Sequence, residues 1–444
     1  MIARLLLGTA LAACAFPAAA QDFVVSNARI VLGDGSDPIE NGFVVVKDGK
    51  IAQAGAGPAP AAAVTAIDAK GQWVTPGLFV ALTDLGLWDV EGVSESNDTS
   101  PRDTPFGAAL DVAPAINPAS EHIGISRAGG VTRATVTAYP GGSIFAGQGA
   151  LIDLGDDPDA VQQARAFQFV VLGEQGARIA GRSRIAAHAA FRNALREASD
   201  LAAHQDLSAA EDPRMAGSNT DRPGDVLLTR FDAAALVPVV QGKQPLYVAV
   251  DRAADIRSTL ALKEEFPQLK LVLVGAAEGW MVADEIAAAD VPVLAQALVD
   301  LPASFEMLAS TQSNVGRMHA AGVKVGLGGF FGTTDYPRWA PQYAGNLVAL
   351  NKLLGATGLS WGDAFAAISS VPAQISGMDG EAGVLKPGAH GDLVFWDGDP
   401  LEVTSAPMRV FIDGVEQPLD NHQTKLRDRY RTPEPGDLPK AYEW

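Results

Sequence analysis

Apolar positions along the chain follow two rhythms. From Phe23 to about Trp73, short apolar runs (Phe23–Val25, Ala28–Val31, Phe43–Val46, Ile51–Ala52) are broken by Asp34-Gly35 and Asp48-Gly49. Those dipeptides supply the positive φ that tight turns require, so the pattern predicts β-structure. The same style returns near the other end, in Asp392–Trp396, Asp397-Gly398, Arg409–Ile412 and Asp413-Gly414. Two such segments can pair into one sheet. Between them, strand-like runs alternate with helical patterns at Ser183–Ala203, Ala254–Glu265 and Trp280–Ala289. Alternation of this kind predicts a parallel sheet with crossover helices, and the length fits a barrel. Seven runs are clear: Leu78–Asp84, Val131–Ala138, Phe167–Leu172, Leu246–Val250, Leu269–Gly275, Val291–Ala295 and Val323–Gly328. An eighth is expected within Ala150–Leu154. Gly141-Gly142 and Gly147-Gln148-Gly149 read as turns, and Leu207–Asp225, rich in Asp, Pro, Gly and Ser, as a surface loop.

The first twenty residues carry a different signal. Arg4, an apolar run from Leu5 to Ala13, Pro17 and Ala18–Ala20 predict a secretory leader cleaved before Gln21. Leu11-Ala12-Ala13-Cys14 also has the look of a lipoprotein box, with Cys14 acylated as the alternative outcome. Either way the expected location is outside the cytoplasm, in a periplasm, with no membrane-spanning helix.

Composition narrows the function classes. With 52 acidic against 33 basic residues the formal charge is −19, which argues against nucleic acid as a partner, since that binding runs on phosphate neutralisation. The one cysteine, Cys14, lies in the leader, so the remaining chain has no disulfide and no thiolate ligand. Only six histidines are present.

Several segments resemble the amidohydrolase superfamily in its imidazolonepropionase-like branch. Ile67–Gly71 followed by Val74-Thr75-Pro76-Gly77-Leu78 is similar to the family's lead-in to its first barrel strand. Gly383–Gly388, Asp392-Leu393-Val394 and Trp396–Leu401 are similar to its return into a composite β domain, with Asn117-Pro118, Gly129–Thr132 and Pro372-Ala373 as further punctuation. The resemblance implies an α/β fold: a TIM-like (β/α)8 barrel with a composite β-sandwich formed by both ends of the mature chain. The expected divisions are 1–20 leader, 21–75 first sandwich part, 76–375 barrel, 376–424 second sandwich part and 425–444 tail. It also implies metal-assisted hydrolysis of C–N bonds in amides, peptides or cyclic amides.

At the metal positions this chain departs from the family. Where His-x-His is expected on the first strand it has Leu82 and Asp84. Asp251 stands where a histidine would follow Tyr247–Val250, Glu278 is the nearest polar residue after Leu273–Gly275, and Gly329 or Phe330 replaces a late aspartate. His122, His188, His204, His319, His390 and His422 all lie away from strand ends, where solvated or locally bonded rings are expected. The candidate catalytic residues are therefore Asp84, Asp251 and Glu278, all at predicted C-terminal strand ends where barrel sites are built. As a trio they could hold a hard divalent ion through oxygen, or act as an acid/base pair. The plainer expectation is that they pair with cations, Asp251 with Arg252, or cap helices. His122, Trp280 and Phe330 are candidates for a ligand pocket, and Ser183 for a helix N-cap. Two functions remain open: a hydrolase with an altered centre, or a non-catalytic relative that binds a small molecule or partner.

Overall fold

The structure is a computed structural model describing residues 21–61, 64–90, 92–204, 226–330 and 336–431. The leader with Cys14, the Leu207–Asp225 segment and residues 432–444 of the expected tail lie outside the described residues. Strands β1 (Phe23–Ile30), β2 (Ile39–Lys47), β3 (Lys50–Ala56), β4 (Thr65–Asp68) and β5 (Trp73–Pro76) come first. Eight barrel strands follow: β6 (Leu78–Thr83), β7 (Val131–Val136), β8 (Phe145–Asp153), β9 (Val161–Val171), β10 (Leu246–Val250), β11 (Leu271–Gly275), β12 (Val293–Ala295) and β13 (Val325–Phe330). Then come β14 (Leu393–Trp396), β15 (Pro407–Ile412) and β16 (Val415–Gln417). β6 to β13 close into a barrel, while β16-β15-β14-β5-β1-β2-β3 form a second sheet with β4 paired to β1. The two ends of the described chain thus share one sheet, joined where Leu393–Trp396 runs antiparallel to Trp73–Pro76.

The eighth barrel strand is longer than the run expected at Ala150–Leu154, and it lies antiparallel to β7 and β9. The cause is connection length. Residues 137–144 and 154–160 are too few for the crossover that parallel neighbours need, so the chain folds back as a hairpin would. Gly147-Gln148-Gly149, read as a turn from sequence, lies inside this strand. Each glycine has a packing reason. A Cβ on Gly149 would sit 2.1 Å from the Phe167 ring, and one on Gly147 (φ +103°) would sit 2.6 Å from the Leu110 carbonyl oxygen. Gly141-Gly142 does form a bend, as expected.

The lumen is packed, not open. Phe79, Ala81, Leu82, Phe167, Tyr247, Val272, Val274 and Leu294 form one buried cluster, with Ala373, Ile375 and Met378 closing the end from which the parallel strands start. Phe167 and Tyr247 stack at 4.3 Å. The Tyr247 hydroxyl donates to the Ile375 carbonyl at 3.3 Å.

A buried ion cluster ties the barrel to the second sheet. Arg133 on β7 is 1% exposed, with Nε 2.8 Å from Asp392 and Nη2 2.8 Å from Asp413. Asp413 in turn meets His390 Nδ1 at 2.5 Å, and its own backbone N–H donates to Asp392. The expected β-portion/tail division at 424 falls within a helix, His422–Arg431.

Candidate functional site

The parallel barrel strands end at a common rim, and the expected residues stand on it. Asp84 follows the last residue of β6, Asp251 follows β10, Glu278 lies three residues past β11, and Phe330 ends β13. Leu82, one step inside the rim, is fully buried in the lumen cluster. Its φ of +57° is a left-handed conformation that leucine adopts at a cost of about 1–2 kcal/mol. The β6–β7 register shifts between Val80 and Thr83, and the Leu82 N–H donates to Thr135 Oγ1 at 2.8 Å. The bulge therefore turns this position into packing and leaves no donor atom there.

Asp251 has the most perturbed rim carboxyl. Burial pushes it up to about 6, with the Glu306 and Glu278 charges adding to the rise, while an N–H from Ala277 (3.1 Å) opposes it. Gly275 (φ +84°) must lack a side chain, because a Cβ would fall 2.6 Å from Asp251 Oδ1. The expected Asp251–Arg252 pair does not form; Arg252 Nη2 instead meets Asp255 at 2.7 Å. Glu278 has a structural task. Its Oε2 accepts the Ala253 N–H (3.0 Å), the first residue of the helix Ala253–Leu260, and its Oε1 accepts the Ala309 N–H (3.1 Å). Each carboxylate oxygen thus binds a backbone donor that would otherwise be unmatched.

Sequence reading missed Glu306. It reaches from the segment after β12 to accept the Glu174 N–H (2.6 Å) and Arg184 Nη2 (2.9 Å), and burial raises its carboxyl. Gly173 (φ +68°) opens the space, since a Cβ would lie 2.4 Å from Glu306 Oε2. Nothing local in Ser304-Phe305-Glu306-Met307 signals this, because the partner is 122 residues away.

The three pocket candidates are each held by local partners. Trp280 donates Nε1–H to the Ala309 carbonyl (2.8 Å) and lies under the Arg317 guanidinium (4.6 Å). Phe330 is buried against Tyr343, ring centroids 5.9 Å apart. His122 stacks on Trp88 at 3.6 Å, a partner not foreseen, with Tyr336 at 6.1 Å on a nearly parallel plane. Its Nε2 lies 3.3 Å from the Asp89 carbonyl oxygen. Burial lowers the imidazole pKa, against the pull of that carbonyl and of the Asp84, Glu121 and Asp89 charges. Of the other histidines, His390 is locally bonded to Asp413 as expected, His319 and His422 lie 3.5 and 3.7 Å from the Asp363 and Glu121 carboxylates, and His188 is half-buried with Nδ1 lacking a hydrogen-bond partner. Ser183 precedes the helix Arg184–His204, and its Oγ accepts the Ile185 N–H, as a cap should.

Comparison with known proteins gives these features a frame. Residues 279–415 match the sequence pattern of the amidohydrolase family. An amidohydrolase from Thermotoga maritima superposes with a TM-score of 0.75 at 23% identity, covering 89% of this chain and 99% of that one. This chain shares the fold of that amidohydrolase. Molinate hydrolase (TM-score 0.54, 16% identity, 90% and 95% coverage) shares it. So does a zinc-bound adenosine deaminase from Xanthomonas campestris (TM-score 0.51, 15% identity, 94% and 98% coverage). A 60-residue stretch is 43% identical to amidohydrolase tasK of Hapsidospora irregularis, covering 14% of this chain and 6% of that protein. The matched stretch is thus a small part of this curated relative.

Zinc in such a barrel needs imidazole, thiolate or carboxylate donors converging on one point. Among the described residues no three His, Cys, Asp or Glu side chains do so. Leu82 offers no donor, and both Glu278 oxygens already accept backbone hydrogen bonds.

Proposed function

We propose that this is a C–N-hydrolase-like protein that binds a small molecule at the barrel rim without metal-activated water. The observation that carries it is Leu82, a donor-free side chain locked into the lumen at a position where the family resemblance implies a metal ligand. Metal activation of water needs a firmly held cation, and among the described residues no three His, Cys, Asp or Glu side chains converge to hold one. A second reading is favoured by Asp251, whose carboxyl titrates near 6 and so suits proton transfer close to neutrality. In that reading Asp251 works as a general acid or base without metal. A hydrolysis screen over dipeptides and cyclic amides, with and without added zinc, separates the two. The first reading expects no turnover in either arm. Turnover only with zinc contradicts both, whereas metal-independent turnover abolished by Asp251→Asn selects the second.

We also propose that Met1–Ala20 directs export and is removed. Amino-terminal sequencing of the mature protein should begin at Gln21; an acylated Cys14 at the terminus would show lipid anchoring instead. No helix among the described residues is long and apolar enough to cross a membrane.

A further inference from the structure

Two buried nitrogens beside the rim have no hydrogen-bond partner, and they belong to rings in face contact: Trp88 Nε1 and His122 Nδ1. Trp88 is 5% and His122 8% exposed, so each leaves a polar atom away from solvent, which costs about 1–3 kcal/mol when unmatched. The roles of the two atoms are fixed by their surroundings. The Asp89 carbonyl oxygen can only accept, so His122 Nε2 carries the hydrogen. Burial lowers the ring's pKa and so favours the neutral form, in which Nδ1 is the acceptor. An indole nitrogen can only donate. One small locus therefore presents a donor and an acceptor together, close to the Asp84, Glu121 and Asp89 carboxylates.

We infer that the stacked Trp88–His122 pair is a recognition subsite for a neutral group bearing adjacent acceptor and donor atoms, such as a carboxamide. Its carbonyl would take the Trp88 N–H and its N–H would meet His122 Nδ1. A carboxylate fails on both counts, having no hydrogen for Nδ1 and facing three acidic side chains. This inference rests on the small-molecule reading above and names what that molecule must carry.

The test uses the intact mature protein and an isosteric pair of probes, benzamide and benzoate. Nitrogen NMR of the histidine rings, with His122 assigned by loss of its signal in His122→Gln, reports the tautomer and any contact at Nδ1. The Nε2–H tautomer is expected, with benzamide shifting the Nδ1 resonance saturably and benzoate leaving it unmoved. Trp88→Phe, which keeps the ring but removes the donor, should weaken benzamide about tenfold. The inference is overturned by an Nδ1–H tautomer, by equal responses to both probes, by no shift with benzamide, or by unchanged affinity in Trp88→Phe. Benzamide binding detected by calorimetry with His122 unmoved would place the small molecule elsewhere. In that case the subsite falls while the small-molecule reading stands.

Discussion

Arg133→Met should cost about 3–5 kcal/mol of stability, the range for stripping one partner from a buried ion pair. The loss comes from what remains behind. Asp392, with its side chain 3% exposed, would keep a charge in the interior with the guanidinium gone, and Asp413 would keep only His390. Thermal unfolding checks the value, and Asp392→Leu combined with Arg133→Met gives the control. Replacing both sides by apolar groups removes the stranded charge, so the double variant should recover part of the loss. A single variant within about 0.5 kcal/mol of the parent would mean that the cluster does not join barrel and sheet as described.

Asp251→Asn should stabilise the protein above pH 6 by up to roughly 3 kcal/mol, the difference between a carboxyl at about 6 in the fold and 3.8 in the unfolded chain. The sign follows from which state holds its proton. A folded-state value raised above the unfolded one gives stability that is complete below 3.8 and lost as pH rises through 6. Asparagine never ionises, so it avoids that loss. Parent and variant should therefore unfold at similar temperatures near pH 4 and diverge towards pH 8. A gap that is constant with pH would remove Asp251 from any acid/base role. Keeping a destabilising carboxylate at a rim position is what a functional site does at the expense of stability.

The barrel was legible because its parallel strands are continuous apolar runs between helices. All seven clear runs overlap strands, and the helix expected at Ser183–Ala203 forms at Arg184–His204. β8 was only partly legible. Its glycines answer to Phe167 and Leu110, which lie far off or outside the strand, so a packing requirement read as turn chemistry. The segments carrying the family likeness also proved more structural than chemical: Asp392, in the stretch that returns the chain to its second sheet, holds Arg133. The rim positions of Asp84, Asp251 and Glu278 followed from strand ends alone. Their partners did not, because the amides of Ala253 and Ala309 and the carboxylate of Glu306 reach them through tertiary folding. Trp88 escaped notice for the same reason, being 34 residues from the histidine it stacks against.

Elemental analysis of the purified mature protein, after equilibration with excess zinc and gel filtration, addresses the central claim most directly. With Leu82 packed into the lumen and Glu278 spent on backbone amides, zinc should remain far below one equivalent per chain. Near-stoichiometric zinc that survives gel filtration would contradict the account and return the barrel to metal-assisted hydrolysis.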